Sequence, residues 1–380
     1  MLGAPDDGVP VMRTGAARWR SIIMPLVILS VVAVIALLLA GRGQQSEIQG
    51  AGSTLAQPLI ERSVTAFRNA QTADNPSRPK ETGNDWMLSG SGIEYEPVGS
   101  LGGIMRLSDP EVDFAVSDYP LSADGLKELE VAQFPIALGA IAVVHSLDLP
   151  DGRDLRLDAP TLAAIYLGEI TRWNDKKIVA LNQGVTLPDT AVSVVHRSDG
   201  SGSTRGFTGY LSAGSPEWSA GPGTGTEIEW PTGTGAERTG GVIEKVSSTP
   251  GSIGYVEFGQ AQRAGLNVVA LANTSGVFIK PSEDAVLAAA SAHDWSGKDD
   301  YVTGLTAAKD KQAYPATVAI YVMVKRDPEF AQQTDRTLGY LRFLLQDFGD
   351  GTRDLGYVPM PTSAAKSIES YWTRTISGAT

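Results

Sequence analysis

Two long apolar runs, Phe134 to His145 and Ala316 to Val324, constrain this chain more than any other feature in it. Each reads as a strand covered on both faces, the pattern that parallel sheets in α/β domains require, and the earlier run is also a candidate crossing between two lobes. Strand-like and helix-like stretches alternate around them. Ile48-Gln49-Gly50 starts a strand, Leu59, Ile60, Val64 and Phe67 form a helical stripe, and Ile93 to Glu96 and Asp113 to Val116 read as short strands. Asp158 before Pro160 caps a helix that stops at Gly168, and Ala191 to Val195 and Ser252 to Val256 are strands. Further helices are expected over Gly240 to Val246, near 329–347 and near 362–377. This order predicts α/β architecture with a binding crevice at the carboxyl ends of strands. Residues 71–92 lose periodicity and, with Pro76, Pro79, Gly83 and Gly90, read as a surface loop or insertion.

The N-terminus follows different rules. Ile22 to Ala40 is free of charge and long enough to cross a bilayer core, with Arg13, Arg18 and Arg20 before it and Arg42 after it. Arginines ahead of the segment favour a cytoplasmic tail over residues 1–21 and place the chain from Gln44 onward on the far side. A cleaved signal peptide is the competing reading, but its apolar core is usually shorter and ends at a small-x-small site, which Leu38-Leu39-Ala40 matches poorly. A single-pass membrane segment at 22–40 is therefore expected, with the folded part in the periplasm or extracellular space. With no cysteine, disulfides, thiolate metal sites and a cysteine-linked lipid are excluded. Residues 1–46 hold four arginines against two aspartates, so the remaining 334 residues carry about −14 of the formal −12 overall, which argues against a nucleic-acid partner.

Three segments share one grammar, in which a strand ends, a glycine-hydroxyl turn follows and a helix begins: Gly52-Ser53-Thr54, Gly99-Ser100-Leu101-Gly102-Gly103 and Gly200-Ser201-Gly202-Ser203. A helix start exposes unpaired N–H groups and the positive end of the macrodipole. Glycine lets an anion approach the backbone, and serine or threonine adds a donor. Taken singly, each turn is most simply an ordinary cap; converging, the three would enclose a tetrahedral oxyanion. Arg197 lies two residues before Asp199 at the mouth of the third turn, where the carboxylate can hold the guanidinium while one edge meets the anion. Asp118, after a buried strand, is by default a turn residue.

The series Ala51-Gly52-Ser53-Thr54, Val98-Gly99-Ser100-x-Gly102-Gly103, Asp113 to Asp118, Tyr166-Leu167-Gly168-Glu169-Ile170-x-x-Trp173-Asn174-Asp175, Arg197 to Gly202 and Gly254-Tyr255-Val256-Glu257 resembles the phosphate-binding proteins of the Pst-type phosphate ABC transporter, over about 48 to 375. The resemblance implies a two-lobed periplasmic-binding-protein type II fold with a hinge of two crossover strands. It also implies phosphate ligands at Thr54, the backbone of Leu55, Ser100, Asp118, Arg197, Ser201, Gly202 and Ser203, with Asp199 orienting Arg197. Leu55 stands where the family usually has an aromatic residue, Leu101 where a second serine is common, and Ser203 where threonine is frequent. The expected partners are inorganic phosphate and the permease subunits of an ABC transporter, with the binding unit a monomer.

Catalysis would need a nucleophile, a base or metals. His145, His196 and His293 lack metal-ligand spacing, and neither a phosphate-loop lysine motif nor a nucleophile elbow is present. No catalytic residue, metal or cofactor is therefore expected. A tethered phosphate sensor and, further behind, a phosphatase are the alternatives. Lobe one is assigned to 47–137 and 317–380, and lobe two to 138–316.

Overall fold

The computed structural model describes residues 48–74, 92–149, 153–291, 293–302, 305, 309–328 and 331–379. The apolar segment 22–40, its preceding tail and most of the expected 71–92 loop lie outside the described residues. Residues 71–74 are helical rather than loop, because the first helix runs on to Asp74.

The elements alternate from the start: β1 (Ile48–Gly52), α1 (Gln57–Asp74), β2 (Ile93–Glu96), α2 (Gly99–Arg106), β3 (Phe114–Ser117) and α3 (Ala123–Glu128) lead to the 15-residue strand β4 (Val131–His145). Next come β5 (Arg156–Leu157), α4 (Ala159–Tyr166), α5 (Lys176–Leu181), β6 (Ser193–Arg197), α6 (Gly202–Gly214) and α7 (Pro216–Ala220). They are followed by β7 (Thr234–Ala236), α8 (Arg238–Ser248), β8 (Ser252–Glu257) and α9 (Phe258–Arg263). Three short strands, β9 (Asn267–Val268), β10 (Ala270–Ala272) and β11 (Phe278–Ile279), precede α10 (Glu283–Ala290). The chain returns through β12 (Thr317–Lys325), α11 (Ala331–Gln346), α12 (Gly349–Asp354), β13 (Val358–Pro359) and α13 (Thr362–Thr375).

The main sheet runs β2-β1-β3-β12-β4-β8-β6-β7. β4 pairs with β12 from Val131 to Ala140 and with β8 from Ile141 to His145, so one strand serves both halves of the sheet. This partner change is the structural basis of a two-lobed molecule. Every residue of β4 is buried, as its apolar run requires, and α13 covers part of it through Trp372, whose ring lies 5.0 Å from that of Phe134. The expectation that such a run signals parallel pairing is corrected, however: β4 is antiparallel to both β12 and β8. Burial on both faces requires a cover for each face, not a strand direction. Within the main sheet, the described parallel pairs are β1 with β2 and β3, and β6 with β7 and β8; in a separate small sheet β10 also runs parallel to β5.

These parallel units aim the carboxyl ends of β1, β3 and β6 at one crevice. β6 extends two residues beyond the expected Val195, so Arg197 is a strand-end residue rather than part of the turn. Asp158 caps α4 by accepting the Thr161 N–H at 2.9 Å, as its place before Pro160 predicts.

Candidate ligand-binding site

The turn after β1 does not feed a helix at once. The Ser53 hydroxyl accepts the N–H groups of Leu55 at 3.0 Å and Ala56 at 3.1 Å, closing a compact turn before α1 begins at Gln57. The Leu55 N–H, one of the expected ligand contacts, meets the Ser53 hydroxyl in this structure. The carbonyls of Thr54 and Leu55 take the side-chain amide of Gln260 from α9 at 3.1 and 3.2 Å. Tyr357 adds its hydroxyl to the Leu55 carbonyl at 2.5 Å. The turn carrying Thr54 is thus fixed from three directions.

Ser100 sits in the first turn of α2 and is buried. Its hydroxyl accepts two backbone donors at 3.2 Å each, the N–H of Asp118 after β3 and the N–H of Gly202 at the start of α6. One oxygen therefore joins the two halves of the crevice. Gly202 must be glycine here, since a Cβ would lie 2.4 Å from the Ser100 hydroxyl and 2.6 Å from the Asp118 Cβ. Ser201 caps α6 through the Thr204 N–H at 3.2 Å.

Asp118 is buried within this frame. One carboxylate oxygen accepts from the Ser53 hydroxyl and the other from the Ser203 hydroxyl at 3.3 Å. Burial pushes its carboxyl up to about 6, against the lowering pull of Ser53, the Arg197 charge, Ser203 and Ser100.

Arg197 is also buried, and its guanidinium grips Asp199 through Nε, at 2.7 Å from Oδ1, and through Nη2. One edge of the fork is so occupied, which leaves Nη1 on the other. Asp199 takes a further donor, the Arg238 N–H at 3.0 Å. Burial raises its carboxyl, but Arg197 and that N–H outweigh the effect and hold it below the ordinary aspartate value.

Sequence reasoning passed over three contributors. Ser53 belongs to the first glycine-hydroxyl turn but not to the expected ligand set, and its hydroxyl reaches Asp118. Tyr255, within β8, has its hydroxyl 3.1 Å from the Arg197 backbone nitrogen, whose N–H it accepts, and 2.8 Å from the Thr204 hydroxyl. Thr239, in the first turn of α8, brings its hydroxyl to 3.0 Å from that of Thr54. The signal for Thr239 was present in Thr239-Gly240-Gly241, a fourth glycine-hydroxyl helix start. His196 stacks on Trp230 with ring centroids 4.7 Å apart and planes 13° apart, and its Nδ1 lies 3.0 Å from its neighbour's carbonyl. Among the described residues no cluster of histidines and carboxylates could hold a metal ion.

The geometry is that of a small anion clasp, in which buried hydroxyls, the starts of α2 and α6 and one arginine gather around a single carboxylate. A family model described as PBP superfamily domain matches residues 40–347. Over 326 residues the chain is 37% identical to the phosphate-binding protein PstS of Xylella fastidiosa (strain 9a5c), covering 86% of this chain and 85% of the relative. The chain belongs to the PstS phosphate-binding protein family. The PstS of Pasteurella multocida is 33% identical over 329 residues, covering 87% of this chain and 90% of the relative. The fold recurs in the crystal structure of a phosphate-binding protein from Stenotrophomonas maltophilia at 14% identity and a TM-score of 0.60, covering 86% of this chain and 94% of that one. Membership in the PstS family agrees with the order of motifs read from the sequence.

Proposed function

We propose that this chain captures inorganic phosphate between its lobes and delivers it to the permease of an ABC transporter for import. The observation that carries the reading is Asp118, a carboxylate enclosed by Ser53 and Ser203 hydroxyls, beside Ser100 and Arg197, in a site otherwise built of donors. An ionised carboxylate only accepts hydrogen bonds, so it welcomes an oxyanion that keeps a proton and rejects one that has none. Thr54, Ser100 and Asp118 would contact phosphate from lobe one, taken as 47–137 with 317–380. Arg197, Ser201, Gly202 and Ser203 would contact it from lobe two, taken as 138–316. Asp199 orients Arg197, and Leu55 acts through the turn that holds Thr54. The PstS relatives are binding proteins by name, and membership in their family sets aside the phosphatase reading.

Titration calorimetry of the purified full chain tests this. Phosphate should bind with one site per chain while sulfate gives no measurable heat at the same concentration. Equal binding of the two anions, or no phosphate binding, would end the proposal.

The 22–40 segment supports a membrane tether with the lobes outside the cytoplasm. Among the described residues no helix is long and apolar enough to cross a membrane, so the tether rests on that segment alone. Cell fractionation should leave the full chain in the membrane pellet after alkaline carbonate, and a chain lacking residues 1–43 in the supernatant. Recovery of the full chain as a soluble species, shortened at its N-terminus, would instead identify 22–40 as a cleaved signal.

A further inference from the structure

The start of α8 is built into the binding site in two ways that the series of sequence motifs does not include. Arg238 adopts φ +59°, a backbone region that residues other than glycine seldom occupy, and its N–H meets Asp199 Oδ1 at 3.0 Å. Asp199 is also the carboxylate that grips Arg197, so one side chain fixes both the guanidinium and the first turn of α8. One residue later, Thr239 is 3% exposed and its hydroxyl lies 3.0 Å from the Thr54 hydroxyl, 185 positions away in the chain.

From this arrangement, and resting on the phosphate reading above, we infer that Thr239 is a positioning residue for phosphate, acting through Thr54. A hydroxyl offers one hydrogen and two lone pairs. When Thr239 donates to Thr54, the Thr54 hydrogen is released from that contact and turns toward the anion, and the chain of two hydroxyls polarises in the sense that strengthens the final donor. The anion's own charge selects this direction, because the reverse one would present a lone pair to it. The unusual backbone at Arg238 sets the first turn of α8 so that Thr239 falls opposite Thr54, and the bond to Asp199 holds it there. The same contact spans residues assigned to different lobes, so it forms with closure.

A double-mutant cycle on the full chain, read by phosphate calorimetry, tests the inference. Thr239→Val keeps the shape and removes the hydroxyl; it should weaken phosphate about fivefold to tenfold, as loss of one hydrogen bond does. Thr239→Ser should stay within about twofold of the parent. In a Thr54→Ala background, Thr239→Val should change affinity by less than about twofold, because the group it acts through is gone. Thr239→Ala provides a second truncation should valine disturb the helix start, and melting in the absence of phosphate checks that each variant is folded. A Thr239→Val variant with parental affinity, or one that loses as much in the Thr54→Ala background as in the parent, overturns the inference while leaving phosphate binding by the parent intact. Failure of the parent itself to bind phosphate overturns the reading on which the inference rests.

Discussion

Arg197→Met should weaken phosphate binding by a factor of about 100 to 1,000 in calorimetry, while a folded protein remains. Each hydrogen bond from a charged donor to a buried partner is worth about 1.5–3 kcal/mol, and a guanidinium edge supplies up to two of them. Two such bonds at the low end of that range come to about 3–4 kcal/mol, which at about 1.4 kcal/mol for each factor of ten is the expected loss. Methionine fills much of the space left by the arginine stem but leaves Asp199, whose side chain is only 19% exposed, without its counter-charge and with the Arg238 N–H as its remaining described donor from another residue. An uncompensated carboxylate in that position costs stability as well as affinity. Arg197→Met combined with Asp199→Asn separates the two effects: the pair should recover melting temperature without recovering phosphate affinity. Arg197→Lys should fall between parent and methionine, since it keeps the charge but loses the fork that grips Asp199 and presents a second edge. A methionine variant that binds phosphate within about threefold of the parent would remove Arg197 from the site.

What the sequence revealed and what it hid divide along a physical line. β4 and β12 were visible because an apolar run covered on both faces leaves no periodicity of its own and is long enough to be a strand crossing the molecule. Their antiparallel pairing was not visible, because direction depends on where the chain re-enters the sheet and leaves no mark on composition. Gly202 was legible as a helix start, and the space it leaves for Ser100 and Asp118 gives its absence of a side chain a reason. Thr239 was missed although its hydroxyl-glycine grammar matches the other three starts, because Thr54 is 185 positions away and nothing local indicates that the two meet. Leu55 and Gly202 show what a motif leaves out: it offers both N–H groups to a ligand, and here the hydroxyls of Ser53 and Ser100 accept them. A short-range hydrogen bond competes with a ligand more easily than a motif can reveal.

Asp118→Asn should reduce the selectivity of the site for phosphate over sulfate by at least about tenfold. The parent carboxylate already accepts from Ser53 and Ser203, so any ligand oxygen that approaches it must bring a proton of its own. Sulfate brings none, and two buried acceptors left facing each other cost about 1–3 kcal/mol or more. The asparagine amide donates, so sulfate gains what the carboxylate denied it, while hydrogen phosphate loses an acceptor for its proton. The pH dependence supplies an independent arm. Burial places the Asp118 carboxyl at about 6, above the usual aspartate value, so the protonated and donating form grows as pH falls through that point. Sulfate stays fully ionised over the same interval, and its affinity should therefore rise as pH drops from about 7.5 to 5 in the parent, with a much smaller change in the asparagine variant. Stability runs with the same sign. A carboxyl raised by burial favours the folded state most when protonated, and that contribution is lost as pH climbs from the unfolded value through about 6, so at pH 7 the asparagine variant should melt no lower than the parent. Sulfate excluded equally by both proteins, or excluded equally at pH 7.5 and pH 5 by the parent, would show that something other than the proton on the ligand is being read.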